Sequence, residues 1–189
     1  MTSGYLELIV GPMFSGKTTR LVELYNEYKN TLSFCVINFE KDKRYSEDKL
    51  STHDKLMIPC IFTSEIKSLY ENENLLKADI ILINEGQFFC DIFESVMYLV
   101  ETKNKRVYVC GLDGDFERKK FGNILDLIPF SDSIIKLKSK CNNCNEPAIF
   151  SHRLTDENEQ VIIGSNNYVP LCRKCYIFNN LPCKDTNPS

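Results

Sequence analysis

Gly11-Pro12-Met13-Phe14-Ser15-Gly16-Lys17-Thr18 matches the pattern G-x-x-x-x-G-K-[ST] in full. Its setting decides the fold. An apolar segment, Tyr5 to Val10, reads as a strand leading into it, and a helix is predicted from about Gly16 to Lys29. Glycines let such a loop curl until successive backbone N–H groups face one centre, and the helix N-terminus adds positive potential there. In that arrangement Lys17 reaches the β- and γ-phosphates of a nucleotide, and the Thr18 hydroxyl holds Mg²⁺. The bland alternative is a glycine turn with an exposed lysine, which explains neither the complete pattern nor its strand–helix context.

Outward from this loop, short apolar segments alternate with longer amphipathic ones. Strands are expected at Ser33 to Asn38, Ile80 to Ile83, Arg106 to Cys110 and Ser133 to Leu137, with helical patterns over Glu65 to Tyr70 and Asp91 to Glu101. Leu21, Leu24, Tyr25 and Tyr28 recur on one face of the first helix. The strands are mostly apolar on both faces, as in a parallel sheet covered by helices on both sides, so the fold class is α/β. Near Lys140 the composition shifts to cysteine pairs and polar turns, with two short strands expected at Ala148 to His152 and Gln160 to Ile163.

The bulk properties narrow the partners. The 189 residues fit one domain with a small appendage, and the 43% hydrophobic, 26% charged composition is that of a folded globular protein. With a net charge of −3 and a pI near 5.5, the surface is not one made to track nucleic-acid phosphates. No apolar run approaches membrane-span length. Met1-Thr2-Ser3-Gly4 runs into a strand without a charged and then apolar leader, so a cytoplasmic location is expected.

Two further constellations carry chemistry. The strand Ile80 to Ile83 ends in Asn84-Glu85-Gly86-Gln87-Phe88-Phe89, at the carboxyl end where open α/β sheets bind ligands. Glu85 there reads either as a general base or as an ordinary acid at a helix N-terminus. Of nine cysteines, Cys141, Cys144, Cys172 and Cys175 form a CxxC…CxxC set suited to a closed tetrahedral Zn²⁺ site, structural rather than catalytic. Cys35, Cys60, Cys90 and Cys110 read as small core residues and Cys183 as solvated.

The P-loop, together with Lys41-Asp42-Lys43-Arg44-Tyr45-Ser46, Thr52-His53-Asp54, Glu85-Gly86-Gln87-Phe88-Phe89, Leu112-Asp113-Gly114-Asp115-Phe116 and Cys172-Arg173-Lys174-Cys175-Tyr176, closely resembles the type II thymidine kinases. The likeness runs from about Tyr5 to Phe178 in family order. It implies a RecA-like P-loop NTPase domain over residues 1–140, a zinc-ribbon-like subdomain with a nucleoside-closing lasso loop over 141–180, and a flexible tail over 181–189. It implies thymidine phosphorylation by ATP in deoxynucleotide salvage, with Glu85 accepting the 5′-hydroxyl proton. By the same match Gly11 to Thr18, Asp42, Arg44, Asn84 and Gln87 serve ATP. Met13, Phe88, Leu112, Phe116 and Phe121 pack around thymine, while Ser151, Tyr168 and the backbone at Ile162, Ile163 and Gly164 bind base and sugar. A homotetramer inhibited by thymidine triphosphate is also implied.

The departures are as informative. The family usually carries Asp where this chain has Asn84, so one charge near Mg²⁺ is gone; a carboxylate at Asp115 replaces it if it points into the site. A small residue is usual at Asp115 and Pro at Lys120, and the lasso is one residue shorter just after Gly164. Two other readings follow: a deoxynucleoside kinase with a different base preference, and a nucleotide-binding homologue with weakened catalysis.

Overall fold

The computed structural model describes residues 3–40, 49–51, 57–155, 159–160 and 167–180. Six strands form one wholly parallel sheet: β1 (Tyr5–Val10), β2 (Phe34–Phe39), β5 (Ile61–Thr63), β6 (Ile80–Ile83), β7 (Arg106–Gly111) and β8 (Ser133–Lys136). Their spatial order is β5-β2-β6-β7-β1-β8. The connection leaving β1, through helix α1 (Lys17–Tyr28), runs to β2 on one side, while β8 lies on the other. Such a switch opens a crevice at the carboxyl end of β1, where the phosphate loop begins.

The sheet is buried on both faces because its strands alternate two apolar sets. Leu6, Leu8, Val10, Ile37, Ile81, Ile83, Val107 and Val109 pack with Ile92, Val96 and Leu99, from the segment between β6 and β7, on one face. Ile9, Val36, Ile80, Leu82, Tyr108 and Cys110 pack with Leu21, Val22 and Leu24 of α1 on the other. Tyr25 and Tyr28 are partly buried against this second cluster, extending the predicted stripe of α1.

Some elements differ from expectation. The predicted helix over Glu65 to Tyr70 is a 3-10 turn, Ile66–Leu69. The one over Asp91 to Glu101 divides into α3 (Ile92–Met97) and a π-turn, Tyr98–Thr102, whose Val100 carbonyl lies where a Cβ on Gly4 would meet it at 2.1 Å. A longer 3-10 helix, Ile124–Phe130, buries Ile124 and Leu127, three residues apart as its period requires. A short hairpin pairs β3 (Lys49–Ser51) with β4 (Met57–Pro59), and α2 (Glu73–Lys77) precedes β6.

Beyond the sheet, β9 (Ser139–Lys140) pairs with β10 (Pro147–Ala148), and β11 (Phe150–Arg153) pairs antiparallel with β12 (Tyr168–Leu171). Helix α4 (Arg173–Asn179) follows. The core of this subdomain comprises Cys141, Ala148, Leu171, Cys172 and Tyr176. A core that small is short of apolar area to fold unaided. Of the other cysteines, Cys35 and Cys110 are buried as expected and Cys60 partly so, but Cys90 is exposed at the turn before α3. Cys183 lies outside the described residues, as do positions 161–163 of the strand expected to begin at Gln160.

Candidate active site

The phosphate loop has the backbone its glycines permit. A Cβ on Gly11 would stand 2.5 Å from the Leu137 carbonyl, and Gly16 holds a left-handed φ of 84° at the N-cap of α1. Lys17 is 9% exposed and its ammonium donates to the Pro12 carbonyl at 2.8 Å, which folds the side chain back over the loop. Two serines of the small subdomain grip the loop tip. Ser139 Oγ donates to the Phe14 carbonyl at 3.0 Å, and Ser151 Oγ accepts from the Met13 N–H at 2.9 Å. Ser15 Oγ is buried with no partner among the described residues. A buried hydroxyl without a partner is costly in a dry loop, and phosphate oxygens would satisfy it.

At the carboxyl end of β6, Asn84 is 1% exposed. Its Oδ1 accepts from Thr18 Oγ1 at 3.3 Å and from the Cys110 thiol at 2.9 Å, and its Nδ2 donates to Asn38 Oδ1 at 2.9 Å. These neutral oxygen donors at a phosphate loop are the hard ligand type that Mg²⁺ takes. Both acceptor positions of Asn84 are engaged, however, so the group that fits the ion directly is the Thr18 hydroxyl.

Glu85 comes next, in the left-handed region at φ 55° and ψ 41°. That conformation is strained for a residue with a side chain and marks functional turns. Buried Gln87 secures it: Nε2 donates to Glu85 Oε2 at 2.6 Å while Oε1 accepts from the Leu112 N–H at 2.9 Å. Gly122, at φ 58°, packs so closely that a Cβ would meet the Gln87 carbonyl at 2.0 Å. Gln87 thus fastens Glu85 to the loop after β7, a positioning arrangement.

Aromatic side chains gather beside it. Phe88 stacks on Phe39 at 5.2 Å and meets Phe121 edge-on at 5.4 Å. Leu112, Phe116 and Met13 are half-buried. Arg153 joins Phe116 to the chain between β11 and β12: its guanidinium lies 3.6 Å from the ring centroid and donates to the carbonyls of Glu159 and Gln160 and to the Tyr168 hydroxyl. Sequence reasoning missed Arg153 and Asn38. An arginine just past an expected strand and an asparagine ending another gave signals that read equally as surface and loop.

Asp115 does not supply the charge absent at Asn84. It is buried, with Oδ1 accepting from the N–H groups of Glu117 and Lys119 and Oδ2 from the Gln160 amide, so it braces its own loop against Gln160. Asp113 is likewise engaged, 2.6 Å from Lys136. Asp42, Arg44, Ile162, Ile163 and Gly164 lie outside the described residues, as does Thr52-His53-Asp54.

The four knuckle sulfurs lie within 4.8 Å of one another, with Cys144 at 3.6 Å from Cys172 and 3.5 Å from Cys175. Tetrahedral zinc–sulfur bonds of about 2.3 Å place sulfurs at such separations, so the donor set fits Zn²⁺. Burial pushes the Cys141 thiol up, but N–H groups of Cys172, Asn143 and Cys144 outweigh it and hold it at about 6. Hydrogen bonding with Cys144 pushes Cys175 up to about 12. The Cys141 thiol therefore ionises more readily than an ordinary cysteine, which favours metal capture by such a cluster.

The family described as thymidine kinase matches residues 4–176. Thymidine kinase a of Arabidopsis thaliana is 39% identical over 187 residues, covering 96% of this chain and 79% of that protein. The thymidine kinase of Yaba monkey tumor virus (strain VR587) is 43% identical over 180 residues, covering 94% and 97%. That of vaccinia virus (strain Western Reserve) is 42% identical over 179 residues, covering 94% and 99%.

Proposed function

The chain belongs to the thymidine kinase family, and from that premise we propose that it moves the γ-phosphoryl group of ATP onto the 5′-hydroxyl of thymidine with Glu85 as the base. The observation that carries this reading is the bond from Thr18 to Asn84, because it joins the phosphate-loop helix to the residue immediately before Glu85. Phosphoryl donor and proton acceptor then meet at one crevice. Glu85 takes the 5′-hydroxyl proton, the 5′-oxygen bonds to the γ-phosphorus, and the bond from that phosphorus to the β–γ bridging oxygen breaks to release ADP. Lys17 and the loop N–H groups bind the phosphates, and the Thr18 hydroxyl would hold Mg²⁺. The ion, when bound with ATP, neutralises charge spread across the β- and γ-phosphates. Met13, Phe88, Leu112, Phe116 and Phe121 enclose the base, and the lasso with Ser151 and Tyr168 closes over the nucleoside. Zinc at Cys141, Cys144, Cys172 and Cys175 is structural.

The reading extends, by family resemblance, to Asp42 and Arg44 near the phosphates, to Ile162, Ile163 and Gly164 reading the base through their backbone, to a homotetramer inhibited by thymidine triphosphate, and to a cytoplasmic role in nucleotide salvage. Among the described residues no helix is long and apolar enough to cross a membrane.

Glu85→Gln tests the central step. The amide keeps an acceptor for Gln87 but cannot take a proton, so ATP and thymidine binding should persist while kcat falls about a hundredfold or more. Near-normal turnover would remove Glu85 from the chemistry. Assays with thymidine, deoxycytidine, deoxyuridine and no acceptor separate a thymidine kinase from a kinase of different base preference and from a nucleotide-binding homologue with weak catalysis.

A further inference from the structure

The polar contacts beneath the phosphate loop form a directed chain. It starts at a donor that cannot be reversed, the backbone N–H of Phe39, which donates to Asn38 Oδ1 at 3.0 Å. With that oxygen fixed as an acceptor, the group of Asn84 facing it at 2.9 Å must be the amide Nδ2. The carbonyl end of Asn84 is thereby turned to Thr18 Oγ1 at 3.3 Å and the Cys110 thiol at 2.9 Å. Thr18 then spends its proton on Asn84 and keeps its oxygen lone pairs for a cation. Were the Asn84 amide reversed, its N–H₂ would face Thr18, the hydroxyl oxygen would accept from it, and a lone pair would be lost to the ion. Asn38 and Asn84 are both 1% exposed, so water is not at hand to substitute for either partner.

We propose that Asn38 is a positioning residue for the metal–nucleotide end of the site: it fixes the amide of Asn84 so that the Thr18 oxygen is presented as a cation ligand. The inference rests on the reading of Thr18 as the Mg²⁺-holding hydroxyl. It explains how, among the described residues, two neutral amides organise that hydroxyl.

Binding of a fluorescent ATP analogue, measured as a function of Mg²⁺, tests it without recourse to turnover. Asn38→Leu removes the acceptor and should raise the Mg²⁺ concentration for half-maximal binding about tenfold or more, the usual scale for losing a group that orients a metal ligand. Binding of the same analogue in EDTA should be unchanged, an outcome that a general loosening of the loop would not give. Asn38→Asp retains an acceptor for Asn84 and should restore wild-type Mg²⁺ dependence. In a Thr18→Ala background, Asn38→Leu should add nothing further. Wild-type Mg²⁺ dependence in Asn38→Leu, or an equal defect in Asn38→Asp, overturns the proposal while leaving the Thr18 reading intact if Thr18→Ala is itself impaired. A Thr18→Ala protein with normal Mg²⁺ dependence overturns both. Should Asn38→Leu not fold, asparagine side-chain NMR of the unaltered protein decides: the Asn84 amide protons should be protected from exchange and shifted by their hydrogen bond, and rapid exchange would refute the assignment.

Discussion

At the scale of single residues, Asn84 shows how a change of one atom is absorbed. Replacing it with Asp would set a carboxylate oxygen where Nδ2 now stands, 2.9 Å from the Asn38 oxygen that accepts from it. Two acceptors would face each other in a dry site, with a cost of about 1–3 kcal/mol. The same carboxylate would accept more strongly from Thr18 and attract the ion. Asn84→Asp is therefore expected to lower Tm by several degrees, at roughly 2–4 °C per kcal/mol for a chain of this size. It should also lower the Mg²⁺ concentration for half-maximal rate about tenfold, near 1.4 kcal/mol. Thermal unfolding and a Mg²⁺ titration of the rate check the two halves; unchanged values in both would sever Asn84 from the ion. Asp115 belongs to a different function. Its oxygens hold the N–H groups of Glu117 and Lys119 and the Gln160 amide, so Asp115→Ala should raise the thymidine KM several-fold, by about 1 kcal/mol, and leave Mg²⁺ dependence alone.

At the scale of elements, legibility followed pattern length and burial. Strands β1 and β6 were readable to the residue because they are short, predominantly apolar runs bounded by turn signals, and α1 was readable because its stripe sits behind a complete phosphate-loop motif. Edge strand β5 was not, being three residues long and only half-buried. The 3-10 helix at Ile124–Phe130 was missed because its apolar period is three and it contains Pro129. The site was legible where one motif carried it, as at Lys17, Thr18 and the four knuckle cysteines. It was illegible where contacts span the chain: Asn38 to Asn84 and Ser151 to Met13 are 46 and 138 positions apart. Arg153 on β11 is the clearest such case. It faces Phe116 and binds two lasso carbonyls and Tyr168 through a planar fork that lysine cannot reproduce. Arg153→Lys should raise the thymidine KM about tenfold, near 1.4 kcal/mol, with ATP KM and zinc content unchanged. Equal losses for both substrates would mean that Arg153 supports the whole subdomain rather than the lasso.

For the molecule as a whole, the two parts of the chain differ in what holds them. The sheet domain has apolar clusters on both faces, whereas the small subdomain has, among the described residues, five buried core residues, two of which belong to its four-cysteine cluster. Metal binding to such a cluster is folding free energy, so the subdomain's order should depend on zinc and the sheet's should not. The two parts nevertheless communicate, since Ser139 and Ser151 bond the phosphate-loop tip at Phe14 and Met13. Loss of zinc should thus act first on thymidine and, more weakly, on ATP. Purified protein is expected to carry about one zinc per chain, and Cys172→Ser or chelation should raise the thymidine KM strongly while the far-ultraviolet signature of the sheet domain survives. Acid should reproduce the effect, and its direction can be fixed. The Cys141 thiol is lowered to about 6, against the opposing push of burial, by N–H groups that stabilise the thiolate. A lowered acid contributes stability that is full above its unfolded pKa and is lost as pH falls through the folded value. A bound zinc stabilises the thiolates further, so zinc should dissociate, and thymidine binding weaken, only as pH falls below that value, with recovery on returning to neutral pH in the presence of zinc. Zinc content and thymidine affinity measured along one pH series should fall together. Thymidine affinity that holds while the metal departs would show that the lasso keeps its shape without the cluster.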